Sequence, residues 1–306
     1  MKQRMILYIG VFLIFAYNAL NLDEELDYSI EGQKSWESEY CQTGNRQSPI
    51  DINPNDMKKA GLLTYNYGQK IKFKGSEFVV LVKANPNYVK LIYEEGENEE
   101  IKVTFSKNDV VTYELNNIHF HCPSEHSING SNYDCEGHIV FQVKNTSKPI
   151  YGKFLVFGIF FKKGFEDVSW ISKLKLTDHM DTLVYKEKNK GYSLNIDSPK
   201  DLIESAEGTV FIYNGSLTTP NCAETVLWYV FEFPLEIKEQ TIKMLSYQSI
   251  RPEKQNITNN RKTQNLNQRS IHISYLMDQH NLFEDSFHEF SLHFSYIILL
   301  LLTLFF

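Results

Sequence analysis

Residues 116–141 read NNIHFHCPSEHSINGSNYDCEGHIVF and hold four of the chain's nine histidines. His119 and His121 are separated by a single phenylalanine. In a strand alternate side chains share a face, so Asn117, His119 and His121 project the same way. A second strand-like run puts Glu136, His138 and Val140 on one face, and SINGSN (127–132) between the two runs reads as a hairpin turn. Laid side by side, the two strands bring three imidazoles to one point and leave a fourth position free. That is the arrangement of a catalytic zinc site, in which water takes the open corner. Asn117 and Glu136 each stand two residues before a histidine on the same face, placed to orient the rings by hydrogen bonds. A His-x-His pair alone would suit two half-exposed surface histidines equally well. The third histidine and the nearby carboxylate argue for the metal.

The flanking sequence repeats the strand pattern. KFKGSEFVVLVK (72–83), NYVKLIYEE (87–95), IKVTF (101–105), IHFHC (118–122), GHIVFQV (137–143), FLVFGIFF (154–161) and ETVLWYVFEF (224–233) are β-branched and aromatic runs of strand length. Helical candidates are short, such as DLIESA (201–206) after Pro199. No repeat or Pro/Ser-rich linker interrupts residues 25–275, and a hydrophobic content of 42% is ample for a core. The expectation is one large, sheet-dominated domain. A net charge of −7 without a basic patch excludes nucleic acid as a partner.

Both ends read as processing segments. Residues 1–20 place Lys2 and Arg4 before an apolar run from Met5 to Ala16, the layout of a secretory signal peptide. That run is short of the ~20 residues that span a bilayer. Residues 276–306 form a polar spacer, with Asp285 and Ser286 as small-residue candidates, and then an apolar tail, FSYIILLLLTLFF. This is the pattern of a GPI-attachment signal, and a retained tail anchor is the alternative. The reading places the protein in the secretory pathway and on the outer face of a membrane, touching the bilayer only through its C-terminal anchor. Asn145, Asn256, Asn129 and Asn214 begin glycosylation sequons, the first two being the better acceptors, and the four cysteines suggest disulfides.

The histidine stretch resembles the zinc-binding hairpin of the α-class carbonic anhydrases: His-x-His at 119–121, Ser-Glu-His at 124–126, Asn-Gly at 129–130 and Glu-x-His at 136–138. RQSPIDI (46–52), YNGSLTTPNCAETVLW (213–228) and NNRKTQNLNQR (259–269) resemble further family segments in the right order, so the likeness covers roughly residues 28–272. It implies a mainly β fold around a large twisted, mostly antiparallel central sheet with a few short helices. It also implies Zn2+ on His119, His121 and His138, and reversible hydration of carbon dioxide to bicarbonate. Carbonic anhydrase is the reference case for this chemistry, in which zinc brings its water to a pKa of about 7. Val140, Val156, Leu217 and Trp228 would then form the apolar wall that holds carbon dioxide. Thr218 would donate its hydroxyl proton to Glu125, an acceptor-only carboxylate, and so aim the nucleophile, with Thr219 lining the same pocket. His126 is expected to be structural.

The likeness also implies a Cys41–Cys222 disulfide. Cys122 and Cys135 have no general counterpart in the family. Strand parity points each away from its neighbouring histidine and towards the other, so they can pair unless a bulge at Pro123 breaks the parity. Four departures stand out. Ser76 occupies the place of a proton-shuttling histidine, Ile30 that of a tyrosine, Val79 that of an asparagine, and Asn221 that of a proline. The last argues against a cis peptide after Pro220. The alternative reading is a catalytically weak, carbonic-anhydrase-like surface binding or adhesion domain. A zinc hydrolase of another fold lacks support, because no His-Glu-x-x-His helix motif is present.

Overall fold

The computed structural model describes residues 25–276 apart from 56–62, 66–69, 76, 97, 107–108, 145–151, 186–190, 207 and 254–256. The leader, all but the first residue of the tail, Ser76, and the sequons at Asn145 and Asn256 lie outside the described residues.

Fifteen strands are described: β1 (Asp51–Ile52), β2 (Leu63–Tyr65), β3 (Lys70–Lys74), β4 (Glu77–Ala84), β5 (Val89–Gly96), β6 (Glu100–Ser106), β7 (Asp109–His121), β8 (Ser127–Ile128), β9 (Cys135–Val143), β10 (Phe154–Gly164), β11 (Tyr192–Asp197), β12 (Gly208–Gly215), β13 (Val226–Phe231), β14 (Leu235–Lys238) and β15 (Ile271–Leu276). Thirteen of them form one sheet in the order β11-β4-β5-β7-β9-β10-β13-β12-β15-β2, with β6 also on β7, β3 on β6 and β14 on β10. Most neighbours are antiparallel. The exceptions are β10 with β13, β10 with β14, and β15 with β2. Helices are short, and DLIESA lies almost wholly in one, Lys200–Ser205. The run expected over 72–83 is two strands, for β3 ends at Lys74 and pairs β6, whereas β4 starts at Glu77 and pairs β5.

The sheet has an apolar core on one face and the histidines on the other. β9 sends Ile139 and Phe141 into the larger core, and β10 adds Leu155, Phe157 and Ile159. Their neighbours Val140, Val156 and Phe160 join a smaller cluster with Tyr213 and Trp228 on the opposite side. β7 serves both faces by changing parity. Val111, Tyr113 and Leu115 enter the larger core, as do Ile118 and Phe120. The switch is a bulge at Asn116, where Leu115 pairs Phe141 but Asn117 already pairs Val140. That extra residue turns Asn117, His119 and His121 together towards the smaller cluster.

Candidate metal centre

The hairpin expected from the sequence brings the three histidines together. His119 pairs directly with His138, and His121 with Glu136, across the β7–β9 ladder. Asn129 and Gly130 both take positive φ, 51° and 77°, as a tight turn requires. Ring centroids are 5.1 Å apart for His119–His138, 5.1 Å for His119–His121 and 4.8 Å for His121–His138. One nitrogen from each ring lies within 4.8 Å of the other two.

The other ring nitrogens are all engaged. His119 Nδ1 donates to Asn117 Oδ1 at 2.8 Å, and His121 Nδ1 to the Asn259 carbonyl at 2.6 Å. His138 Nε2 donates to Glu136 Oε1 at 3.0 Å. Each bond fixes a tautomer, which leaves lone pairs on His119 Nε2, His121 Nε2 and His138 Nδ1. His121 Nε2 is buried with no hydrogen-bond partner, and His138 Nδ1 lies 3.3 Å from His119 Nε2. Converging lone pairs repel unless a cation lies between them, so these residues fit a metal of the zinc type. Burial lowers the pKa of His119 well below 6.5, with help from His138 and His121. Burial lowers that of His121 too, against the opposing pull of Glu125. Both effects favour the neutral imidazole that binds metal.

Glu136 holds more than one ring. Its Oε2 accepts the N–H groups of Glu125 (2.9 Å) and His126 (2.8 Å), and its Oε1 accepts His126 Nδ1 (2.8 Å). Burial opposes the charge, but His126 and His138 pull the carboxyl well below its ordinary pKa. Gly158, opposite His138, makes room for this carboxylate, since a Cβ there would stand 2.8 Å from Glu136 Oε1. His126 bridges Glu136 and the Tyr213 hydroxyl (2.7 Å), so both of its nitrogens are engaged as a structural histidine's would be.

A family model described as eukaryotic-type carbonic anhydrase matches residues 31–275. The chain belongs to that family. As a carbonic anhydrase it acts on carbon dioxide and bicarbonate, the family's substrate pair. It is 28% identical over 225 residues to a carbonic anhydrase of Nostoc sp., covering 70% of this chain and 73% of the relative. It is 27% identical over 258 residues to alpha carbonic anhydrase 5 of Arabidopsis thaliana, covering 81% and 84%. The α-carbonic anhydrase of Thermovibrio ammonificans, solved with sulfanilamide, superposes with a TM-score of 0.61 at 26% identity and covers 81% of this chain and 98% of its own.

The carbonic anhydrase segments converge on the histidines. Arg261 donates its backbone N–H to Glu125 Oε1 (2.8 Å), and its guanidinium donates to Gln47 Oε1 (2.9 Å) and the Ser48 carbonyl (2.7 Å). Glu125 Oε2 is buried without a partner, so the expected Thr218-to-Glu125 hydrogen bond is not formed here. Thr218 is buried and Thr219 half-buried. Val140, Val156 and Trp228 share the smaller cluster, with Leu217 packed against it. The Trp228 ring lies 4.9 Å from that of His138.

One expectation is corrected and one departure is located. Ile30, in the place of a tyrosine, is 64% exposed in the first turn of the helix Ile30–Lys34, which Ser29 caps. Tyr28 is the buried aromatic, its ring edge-on to Trp36 and its hydroxyl without a hydrogen-bond partner. The Pro220–Asn221 peptide is cis despite the missing proline, and Ser38 Oγ donates to the Asn221 carbonyl at 2.7 Å. Val79 is half-buried on β4. Both cysteine pairs are disulfides, Cys41–Cys222 and Cys122–Cys135, so the parity of the second pair holds past Pro123.

Reading the sequence missed Tyr88, whose ring stacks on His119 at 4.6 Å, and Asn259 as the orienter of His121. NYVKLIYEE marked β5, which Tyr88 immediately precedes, but nothing local gave its register against His119.

Proposed function

We propose that this carbonic anhydrase holds one zinc ion on His119 Nε2, His121 Nε2 and His138 Nδ1 and hydrates carbon dioxide reversibly. The observation that carries the proposal is the convergence of three lone pairs whose opposite nitrogens are all bonded, with His121 Nε2 buried and unpartnered. Bound there, zinc supplies Lewis-acid chemistry that makes water a nucleophile at neutral pH.

The chain's own residues do the rest. Val140, Val156, Leu217 and Trp228 offer an uncharged wall to an uncharged substrate and keep bulk water off it. Glu125 has Oε1 committed to Arg261, which leaves Oε2 to accept the Thr218 hydroxyl proton. A hydroxyl held that way keeps its lone pairs for an incoming O–H and so sets the direction of attack, with Thr219 beside it. Ser76 cannot exchange protons near neutral pH as an imidazole does, so turnover should depend on buffer. A catalytically weak surface-binding role is not favoured, because the three histidines, Thr218 and Glu125 are all retained.

The two disulfides suit an oxidising compartment and support a secretory location, with anchoring through the C-terminal tail. Metal analysis and a carbon dioxide hydration assay on the purified protein test the central reading. About one zinc per chain with hydration activity is expected from a single three-ligand site. Full activity in a metal-free His121→Ala protein would end it.

A further inference from the structure

The Cys122–Cys135 disulfide lies one residue beyond the His121↔Glu136 pair that ends the β7–β9 ladder, with its Cα atoms 4.2 Å apart. Each half leads directly into one of the devices that orient the ligands. Cys122 follows His121, and its N–H donates to Asn259 Oδ1 at 2.9 Å. The carbonyl of that same Asn259 holds His121 Nδ1. Cys135 precedes Glu136, which holds His138 Nε2 and the backbone of Glu125 and His126. The sulfurs lie on the core face, away from the lone pairs, so they are not ligands.

We propose that this disulfide is a positioning element of the metal centre, fixing the separation of His121 and Glu136 so that the three nitrogens converge; the proposal rests on the zinc reading above. Beyond His121 the chain leaves the ladder for thirteen residues before β9 begins at Cys135. Without the bridge, only that thirteen-residue loop joins the two strands at this end of the hairpin. Cys41–Cys222 makes the contrast, because it spans 181 residues, sits among Tyr28 and Trp36, and touches none of the three histidines.

Cys122, 6% exposed, is the half of the pair nearer the surface, and Cys135 is fully buried. Cys122 borders a surface cleft of about 400 Å³ shared with Pro123, Tyr133, Tyr247 and Thr258. A water-soluble phosphine entering there breaks the S–S bond without adding thiolates that would chelate zinc. Phosphorus gives up two electrons and takes the oxygen of water to become the phosphine oxide, and the two protons go to the cysteine sulfurs.

The test compares zinc-loaded wild type with the double variants Cys122→Ala/Cys135→Ala and Cys41→Ala/Cys222→Ala. Zinc affinity is read by competition with a chromophoric chelator, and unfolding midpoints of the metal-free forms are read in parallel. Loss of an orienting partner typically weakens metal binding about 10–100-fold. That loss is expected for the first variant. The second should keep wild-type affinity while its midpoint falls. A merely structural staple would lower the midpoint of the first variant and leave its affinity unchanged, which overturns the proposal. If the first variant does not fold, phosphine treatment of the wild type decides: zinc release should track alkylation of Cys122 and Cys135. Release that ignores that pair, or a pair reduced with zinc retained, also overturns it. If oxidised wild type binds no zinc, the proposed function falls and this inference with it; if only the variants behave alike, the inference alone falls.

Discussion

The two faces of the central sheet are built from the same strands and do opposite work. Ile139, Phe141, Phe157 and Tyr229 point one way into a large apolar core. Glu136, His138 and Val140, their neighbours or near neighbours in sequence, point the other way into a cluster where buried polar groups are wired to one another. The first face gains free energy from area removed from water, a term without direction. The second spends some of that gain to bury Glu125, Glu136, His121 and His138, each at most 1% exposed, and recovers it only through specific hydrogen bonds. Stability and chemistry should therefore separate by residue parity.

His121→Ala should break the site face most completely. Zinc content and hydration activity fall to background, while circular dichroism and the unfolding midpoint of the metal-free protein stay close to wild type. A collapsed fold in this variant would mean that the site face also carries the structure. Phe157→Ala is the converse. Phe157 packs against Phe73, Phe141, Tyr229 and Phe231, and truncation should cost about 3–5 kcal/mol in urea unfolding. Activity per folded molecule should survive; a matching loss of specific activity would show that the faces are coupled.

Glu136→Gln sharpens the comparison within the site. It keeps the shape but loses the charge and an acceptor, and zinc affinity should fall about 10–100-fold. Equal affinity would reduce Glu136 to a packing residue.

Mild acidification, above the range where carboxylates titrate, should act first on the site face. Burial lowers the pKa of His119 and His121 below 6.5, so folding favours their neutral forms. A lowered histidine pKa contributes stability that is present above the unfolded value and lost as pH falls below it. Metal-free protein should accordingly lose stability in urea as pH drops from about 6.5, the ordinary histidine value. His121→Ala should blunt that loss, and an undiminished loss would assign it to other groups. The smallest effect is expected at Ile30. Ile30→Ser should stay within about 0.5 kcal/mol of wild type and leave hydration unchanged, as surface substitutions do. A measurable loss of turnover would give Ile30 a part in the site.

Much of this was legible in the chain. His119, His121 and His138 could be set on common strand faces, and Asn117 and Glu136 beside them, because a period of two is written in adjacent residues. The same parity paired Cys122 with Cys135. What could not be read depended on register and closure. The bulge at Asn116 leaves no local mark, yet it decides which way the histidines face. The resemblance set Ile30 in the place of a tyrosine, but only the structure shows that the helix capped by Ser29 leaves it exposed and that Tyr28 is buried. The third orienting group is a backbone carbonyl, that of Asn259, 138 residues from His121. Every residue offers such a carbonyl, so no side-chain pattern could single it out. The sequence by itself determined which side chains could bind the metal, and the tertiary structure decided which nitrogen of each ring was left to do so.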